Sequence, residues 1–150
     1  MRRLKFLLIV LILTITTFAN ENDILGFWKT EKKRAIFSIY KEENNFLGKI
    51  VWLDSASVDK NNPDESLRTR PILGSVPMKK LIYKSKKNRW EKGKIYDAES
   101  GKIYSCQLTI SDDLQKIYLR GFAGISILGR TTTWTRAKKG SFIENSIGKP

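Results

Sequence analysis

The feature that most constrains the fold of this chain is a period of two in its apolar residues. The clearest runs are AIFSIYK at residues 35–41, RWEKGKIYD at residues 89–97 and KIYSCQLTI at residues 102–110. Successive side chains of a β-strand point to opposite faces of a sheet, so each run buries one face and exposes the other. No long stretch after residue 20 has the 3.6-residue period of an amphipathic helix. The sequence therefore predicts an all-β domain.

Turn residues separate these runs at short intervals. Residues 98–101, AESG, form a four-residue hairpin loop that ends in glycine, and residues 111–113, SDD, start a second hairpin turn. Further strands are predicted, giving seven or so in all, at residues 26–30, 46–53, 114–122 and 129–136. Short strands joined by tight turns indicate a small antiparallel barrel or a sandwich. A closed barrel has the advantage that it leaves no strand edge exposed.

Between two of the predicted strands lies a segment of a different kind, KNNPDESLRTRPILG at residues 60–74. Asn62 is a predicted N-cap, because it is followed by a proline and, three positions on, by Glu65. Arg70 precedes a proline and is expected to be extended, which would end the helical turn. The segment is predicted to be a loop with one short helical turn, ordered enough to position the side chain of Arg68.

The chain begins with MRRLKFLLIVLILTITTFAN, which has the layout of a secretory signal peptide. Basic residues precede an apolar core at residues 6–15, and a small-x-small pattern ends at Ala19. The apolar core is short for a bilayer-spanning helix, although an uncleaved anchor is the alternative. We expect export, to the periplasm or out of the cell. The expected organisation is a signal peptide at residues 1–19, a barrel domain at residues 20–137 and a basic C-terminal tail at residues 138–150.

The region after the leader is strongly basic. The chain has 28 Lys and Arg residues, of which Arg2, Arg3 and Lys5 belong to the leader; the other 25 stand against 15 Asp and Glu residues, a net charge of +10. Such a domain attracts anions, for example lipid headgroups at a membrane surface, acidic glycans or an acidic partner protein. Export argues against nucleic acid as the partner. The alternative is that the charge serves only solubility.

The composition excludes several kinds of chemistry. The sequence has no histidine, which removes the commonest general base, the commonest zinc ligand and every histidine-containing triad. Cys106 is the single cysteine, so no intrachain disulfide can form, and its place in a predicted strand indicates a packed core thiol. Asp97 and Glu99 lie in a hairpin turn, where acidic residues are common. We therefore predict no enzyme activity, no metal site and no cofactor.

Several short motifs occur in an order that is specific as a set. They are Gly26-x-Trp28, Gly48-Lys49-Ile50, Asn61-x-Pro63-Asp64, Leu67-Arg68-x-Arg70-Pro71, Gly93-x-Ile95-Tyr96-Asp97, Arg120-Gly121 and Gly129-Arg130 through Trp134-Thr135-Arg136. In this combination the sequence resembles the bacterial domain-of-unknown-function 2147 (DUF2147) family of small exported proteins. The resemblance implies a lipocalin-like (calycin-type) antiparallel β-barrel and implies no reaction. The chain ends also resemble the lipocalin pattern, in which an arginine of the last strand stacks on a tryptophan of the first, here Arg136 on Trp28.

Arginines in the predicted loop and at strand ends are the candidate ligand-binding residues. A guanidinium group grips a carboxylate or phosphate with two parallel hydrogen bonds, and neighbouring polar side chains complete such a site. The candidates are Arg68, Arg70, Arg120 and Arg130, with Asn61, Asp64, Tyr96 and Asp97 as partners. The alternative is that Asp64 or Asp97 pairs with one of these arginines only to hold the loop across the barrel mouth.

Two further features are open to more than one interpretation. Trp52, Trp90 and Trp134 either line an apolar cavity or, as the favoured interpretation, form the core. The apolar segment FAGISIL at residues 122–128 is interpreted first as a connection buried against the barrel. Its other interpretations are a flap over a cavity and a loop that touches a membrane.

The combined pattern predicts a monomeric, non-catalytic binding module in the cell envelope, whose ligand is a small amphipathic or anionic molecule. The alternative is a protein-interaction module whose basic face docks an acidic envelope partner. A large void inside the barrel would favour the first hypothesis, and a barrel filled with side chains would favour the second.

Overall fold

The computed structural model describes residues 19–142; most of the predicted signal peptide and residues 143–150 of the predicted tail lie outside the described residues. Within residues 19–142, no helix is long and apolar enough to cross a membrane. Eight antiparallel strands follow one another around a closed barrel, and the first pairs with the last. They are β1 (Gly26–Lys29), β2 (Ala35–Glu42), β3 (Asn45–Leu53), β4 (Met78–Lys84), β5 (Arg89–Asp97), β6 (Lys102–Ile110), β7 (Lys116–Phe122) and β8 (Arg130–Ala137).

The predicted all-β fold is confirmed, and of the two architectures considered the chain adopts the barrel. The period of two works as expected: in β2, Phe37 and Ile39 are buried, whereas Ser38 and Tyr40 between and beyond them are partly exposed. Cys106 is 1% exposed, which confirms the predicted core thiol. Closure gives every strand a hydrogen-bonded neighbour on both sides.

β4 is the strand that the period of two does not predict. Met78 and Leu81 are both fully buried although they are three positions apart, a spacing that puts residues on opposite faces of a regular strand. Lys80 between them has a φ of 63°, in the left-handed region, and this local bend returns Leu81 to the interior. Lys79 and Lys80 are exposed, and these two adjacent lysines give the sequence a basic character that obscures the strand.

The predicted helical turn in the β3–β4 connection is present, but it begins later than predicted. It is a 3₁₀ turn at Glu65–Leu67, and its N-cap is Asp64, whose side chain accepts a hydrogen bond from the Ser66 backbone N–H at 3.0 Å. Asn62 acts one step earlier, because its Oδ1 accepts from the Asp64 backbone N–H at 2.9 Å. Asn and Asp have equal preference for caps and turns, so the sequence does not decide between these two positions.

Because the strands run alternately up and down, their connections alternate between the two ends of the barrel. The packed end holds residues 19–25 and the β2–β3, β4–β5 and β6–β7 turns. The open end holds the β1–β2 loop (residues 30–34), the β3–β4 loop (residues 54–77), the β5–β6 loop (residues 98–101) and the β7–β8 loop (residues 123–129).

Trp28 and Arg136 close the packed end. They lie opposite each other in the β1–β8 pairing, and Cζ of Arg136 is 4.1 Å from the centre of the Trp28 ring. The guanidinium group also donates to three backbone carbonyls, those of Leu114 at 2.7 Å, Leu25 at 3.0 Å and Asp23 at 2.7 Å. The cation–π pair that the lipocalin resemblance implied is therefore present. The same guanidinium group joins residues 23–25 and the β6–β7 turn to the last strand.

Large apolar side chains, including Trp28 itself, fill the interior around this pair. Those that are at most 1% exposed include Ile24, Trp28, Phe46, Trp90, Leu108 and Ile117. Both tryptophans satisfy their indole N–H groups on backbone carbonyls: Trp28 donates to Ile24 at 2.8 Å and Trp90 to Glu21 at 3.1 Å. Buried indoles need such partners, so the N-terminal segment supplies hydrogen bonds as well as apolar surface to the core.

Interior glycines distinguish the packed part of the barrel from the open part. A Cβ added at Gly93 would lie 2.6 Å from Cδ2 of Leu81 and 2.7 Å from Sγ of Cys106. A Cβ added at Gly121, on β7 towards the open end, would meet no atom within 4 Å. The barrel is therefore dense at Gly93 and empty at Gly121.

The β7–β8 connection differs from its favoured interpretation. Residues 122–128 were expected to pack against the barrel, but Ile125, Ile127 and Leu128 are 63%, 78% and 79% exposed. The interpretation as a buried connection is wrong, because its glycines and a hydrogen-bonding arginine, described below, let the loop turn its apolar side chains away from the barrel.

The two glycines provide a test of the packed and empty regions. We expect Gly93→Ala to lower the free energy of unfolding by about 1–3 kcal/mol, because the methyl group overpacks the core. The matched substitution Gly121→Ala should leave stability unchanged or raise it by up to about 1 kcal/mol, since the methyl group enters empty space and the unfolded chain loses freedom. Urea unfolding measures both, and equal effects would contradict the partition.

Candidate functional site

The open end of the barrel contains a cavity of about 1500 Å³. Its floor consists of four apolar side chains from β2, β3, β7 and β8, each at most 6% exposed: Phe37, Ile50, Leu119 and Trp134. The Phe37 and Trp134 rings lie 4.6 Å apart, centre to centre. The floor is thus a continuation of the core, and the space above it is bounded by the loops of the open end.

Small and half-buried side chains leave the cavity wall open. Gly121 and Thr132 come from β7 and β8, while Ile95 and Tyr104 come from β5 and β6. Of the three tryptophans considered in the sequence, Trp134 serves both core and cavity floor. Trp90 belongs to the core alone, and Trp52 is absent from the cavity lining.

A buried carboxylate, Asp59, organises the long β3–β4 loop beside the cavity. Asp59 is only 2% exposed. Its Oδ2 accepts hydrogen bonds from Nε and Nη2 of Arg70 at 3.1 and 2.9 Å and from Nδ2 of Asn62 at 2.7 Å. Its Oδ1 accepts from the Tyr96 hydroxyl at 2.6 Å. Four donors from two parts of the chain therefore meet on one carboxylate, which joins the loop to β5.

Protonation equilibria reflect this cluster. Burial alone would raise the pKa of Asp59, but the hydrogen bonds from Tyr96, Asn62 and Arg70 and the charge of Arg70 hold that pKa below its usual range. Burial, the hydrogen bond to Asp59 and the charge of Asp59 raise the pKa of Tyr96 to about 12. At neutral pH the cluster thus contains a carboxylate, a guanidinium and a neutral phenol.

Two of the predicted site residues, Arg70 and Tyr96, are brought together by Asp59, which the sequence analysis missed. The two halves of the β3–β4 loop run antiparallel to each other, and Val58 and Pro71 form an isolated bridge between them. This bridge places Asp59 beside Arg70. The signal available in the sequence was the acid directly before the KNNPD turn. Its spacing of eleven residues from Arg70 gives no local indication of contact.

Asn61 holds the β3–β4 loop against the β5–β6 loop, and Asp97 stabilises the β5–β6 loop from within. Nδ2 of Asn61 donates to the Glu99 carbonyl at 2.8 Å, and Asp97 accepts from the Glu99 backbone N–H at 3.1 Å and the Ser100 hydroxyl at 2.6 Å. A Cβ at Gly101 would lie 2.1 Å from the Asn61 carbonyl oxygen, and the φ of Gly101 is 67°. Only glycine allows the two loops to approach this closely.

Asp64 and Arg68 belong to the loop itself and do not line the cavity. Asp64 caps the 3₁₀ turn. Arg68 turns back on its own segment, donating from Nε to the Asn62 carbonyl at 2.9 Å and from Nη1 to Glu65 at 3.0 Å. These two side chains stabilise the loop's conformation instead of facing the cavity.

The last two predicted arginines, Arg120 and Arg130, have different surroundings although they are close in the fold. Arg120 donates to the carbonyls of Ser126 at 2.7 Å and Ile127 at 3.0 Å and to the Thr131 hydroxyl at 3.0 Å, and it does not line the cavity. Arg130 lines the cavity and is exposed. Arg120 thus holds the β7–β8 loop, whereas Arg130 stands at the mouth.

The charges at the mouth are unequally neutralised. The lining contains seven Lys or Arg side chains and five Asp or Glu side chains. Three of the acids form ion pairs, Asp59 with Arg70 and both Asp54 and Glu99 with Arg34, whereas Glu31 and Asp97 accept from neutral donors. By contrast, four exposed basic side chains of the lining have no side-chain hydrogen bond or ion pair with any described residue: Lys32, Lys60, Lys79 and Arg130. These four side chains are called the mouth cations below. No three His, Cys, Asp or Glu side chains within residues 19–142 form a group that could hold a metal ion.

The Asp59 cluster predicts a pH dependence of stability. Because the pKa of Asp59 is lowered on folding, its contribution is fully present above the pKa of an unfolded aspartate, about 4. That contribution is lost as the pH falls through the lower pKa of the folded protein. We expect Asp59→Asn to cost about 1–3 kcal/mol at neutral pH and to reduce the loss of stability between neutral and acidic pH. Thermal unfolding across this range measures both effects, with Asp112→Asn as the control for an exposed turn acid. A pH profile parallel to that of the wild type would contradict the assignment.

Comparison with known proteins identifies the family. Protein HP1028 from the human pathogen Helicobacter pylori, described as belonging to the lipocalin family, matches this structure with a TM-score of 0.71 at 22% sequence identity; the match covers 81% of this chain and 87% of that chain. At that identity the likeness shows the fold, which is lipocalin-like. No curated protein matches the sequence. Residues 26–136 match the family described as an uncharacterized protein conserved in bacteria (DUF2147). The resemblance seen in the sequence motifs is therefore confirmed, and the chain belongs to the DUF2147 family.

Proposed function

We propose that this protein binds a small amphipathic molecule, with the apolar part in the barrel and an anionic headgroup at the mouth. The observation that carries the proposal is the combination of an apolar cavity floor with a mouth that has unpaired positive charge. The cavity, of about 1500 Å³, exceeds the roughly 300–1,000 Å³ of ordinary small-molecule sites. Such a volume accommodates a long hydrocarbon chain.

The mouth cations favour an acidic headgroup over a neutral one. Several like charges around one concave site attract a carboxylate or phosphate more strongly than a single cation on an open surface does. Arg70 adds a directed donor, because its Nε and Nη2 are engaged by Asp59 while its Nη1 has no hydrogen bond to a described residue. Asp59 in turn fixes the plane of that guanidinium group, so part of the entropic cost of binding is met before the ligand arrives.

The proposal is for binding without chemical conversion. Burial raises the pKa of the Cys106 thiol to about 12, so the thiolate needed for nucleophilic attack is not available at neutral pH. The carboxylate of Asp59 is committed to four donors and has a lowered pKa, which suits a structural anion better than a general base. The signal-peptide pattern at residues 1–19 supports a setting in the cell envelope, where lipids and their breakdown products supply such ligands.

Fluorescence of a dansyl-labelled fatty acid tests the proposal directly. The probe should bind the wild-type protein with a rise in emission, and unlabelled oleate should displace it. Gly121→Trp should weaken probe binding at least tenfold, because an indole would occupy the empty space beside Gly121. Gly121→Ala is the matched control and should bind normally. Wild-type protein that gives no emission change, or a tryptophan variant that binds as well as the wild type, would contradict the proposal.

A second measurement tests the headgroup assignment. Replacing Arg130 and Lys79 together by glutamine should weaken oleate roughly tenfold or more, since each cation near a bound anion contributes about 1 kcal/mol. Oleyl alcohol, which has the same chain and no charge, should bind the wild type and this variant with equal affinity. Lys116→Gln, at the packed end, controls for overall charge. If both ligands weaken to the same extent, the mouth cations do not recognise the headgroup.

A further inference from the structure

The β7–β8 loop exposes large aliphatic side chains at the rim of the barrel mouth. Ile125, Ile127 and Leu128 are 63%, 78% and 79% exposed, and Leu128 is followed by Gly129 and then by the mouth cation Arg130. Clustered exposed aliphatic residues mark a surface that a partner protein or a membrane covers. Single exposed leucines need no explanation, but three within four residues do.

The exposure is a built feature of the loop. The guanidinium group of Arg120 donates to the carbonyls of Ser126 and Ile127 at 2.7 and 3.0 Å, which fixes the backbone of the turn from below. A Cβ at Gly129 would lie 2.7 Å from the Gly121 carbonyl oxygen, so the loop returns tightly against β7. The backbone is therefore held down while its aliphatic side chains point into solvent.

The surroundings of this loop are basic. Residues 120–130, which include the loop, contain Arg120 and Arg130 and no Asp or Glu. The pairing of Ser105 with Phe122 brings the beginning of β6 beside the loop, and there Ile103 is 68% exposed and Lys102 is also exposed. Among the described residues, Glu31 is the acidic side chain that bonds to this hairpin, through the Thr133 backbone N–H.

We infer that the β7–β8 loop docks the open end of the barrel on an anionic lipid surface. Ile125, Ile127 and Leu128 enter the boundary between headgroups and acyl chains, while Arg130 and Lys102 contact the lipid phosphates. This combination of a small aliphatic insertion with flanking cations is the requirement for reversible binding to anionic membranes.

A lipid surface fits this loop better than a protein partner does. The aliphatic residues stand on a protruding turn, whereas protein interfaces concentrate their binding energy in aromatic residues and arginine that fit complementary pockets. The tip has no aromatic side chain within residues 123–129. A fluid bilayer needs no complementary pocket, and its anionic headgroups match the local charge.

Docking in this orientation places the cavity mouth against the membrane. The mouth cations and the loop belong to the same end of the barrel, so an amphipathic molecule could pass between bilayer and cavity without crossing open water. The inference goes beyond the proposed cavity function, and either could hold without the other.

Vesicle flotation tests the docking surface, with protein purified from cells that express the full chain. Wild-type protein should float with vesicles of phosphatidylcholine mixed with phosphatidylglycerol and bind much less to phosphatidylcholine alone. The double substitution Ile127→Ser/Leu128→Ser should weaken binding to the anionic vesicles at least about tenfold, because both side chains leave the lipid boundary. Arg130→Gln should weaken it about fivefold, the effect expected for one cation at the lipid surface.

Matched controls separate the loop from the general charge of the protein and from the N-terminal leader, which all variants share. Lys116→Gln removes a cation from the opposite end of the same hairpin and should bind vesicles like the wild type. Thermal unfolding of the serine variant should be unchanged, since the replaced side chains are exposed. An equal loss of vesicle binding for Lys116→Gln and Arg130→Gln, or full vesicle binding by the serine variant, would overturn the inference.

A protein that is pulled down by the wild type but not by the serine variant, without vesicle binding, would assign the loop to a protein partner. That outcome would also overturn the inference. Dansyl fatty acid binding by the serine variant reports on the cavity separately.

Discussion

The closure at Arg136 is the interaction on which the rest of the structure depends. One guanidinium group stacks on Trp28 and donates to the carbonyls of Asp23, Leu25 and Leu114. It therefore joins the segment before β1, the first strand, the β6–β7 turn and the last strand. A short first strand of four residues offers few hydrogen bonds of its own to seal a barrel. The stacked arginine supplies the missing connections.

Because these contacts close the barrel at the packed end, the open end can contain a cavity without loss of barrel closure. One cluster of buried apolar residues includes Trp28 at the packed end and Phe37 and Trp134 at the cavity floor. Above that floor, stability comes from polar links between loops, chiefly the four hydrogen bonds on Asp59. Such a hydrogen-bond network fixes the loops around the cavity mouth without filling the cavity, whereas apolar side chains packed there would fill it.

Sequence reasoning predicted the barrel and its closure but only part of the site. β6 was predicted to the residue, because a regular strand with one buried face has a period of two. β5 was also predicted to the residue although its left-handed Lys92 shifts the register, because the turn residues at 98–101 mark its end. β4 was missed because the left-handed Lys80 interrupts that period. The pairing of Arg136 with Trp28 followed from a family resemblance and not from any local pattern.

Long-range contacts explain why the remaining site residues were not predicted. Asp59 receives its donors from Arg70 and from Tyr96, which are 11 and 37 positions away, and no periodicity indicates which acid will be buried. Arg120 and Arg130 have identical chemistry in the sequence, yet one is occupied by backbone carbonyls and the other faces the cavity mouth. The exposed β7–β8 loop shows the same limit, since an apolar segment does not reveal whether the fold leaves room to bury it.

A crystal structure of protein purified from cells without refolding tests the central claim most directly, which is that one end of a closed barrel is kept empty for a ligand. The account predicts elongated density above Phe37, Leu119 and Trp134 that ends near Arg130, in a barrel whose β3–β4 loop remains joined to Tyr96 through Asp59. A barrel in which that loop has moved inward and its side chains fill the space above Trp134 would contradict the account.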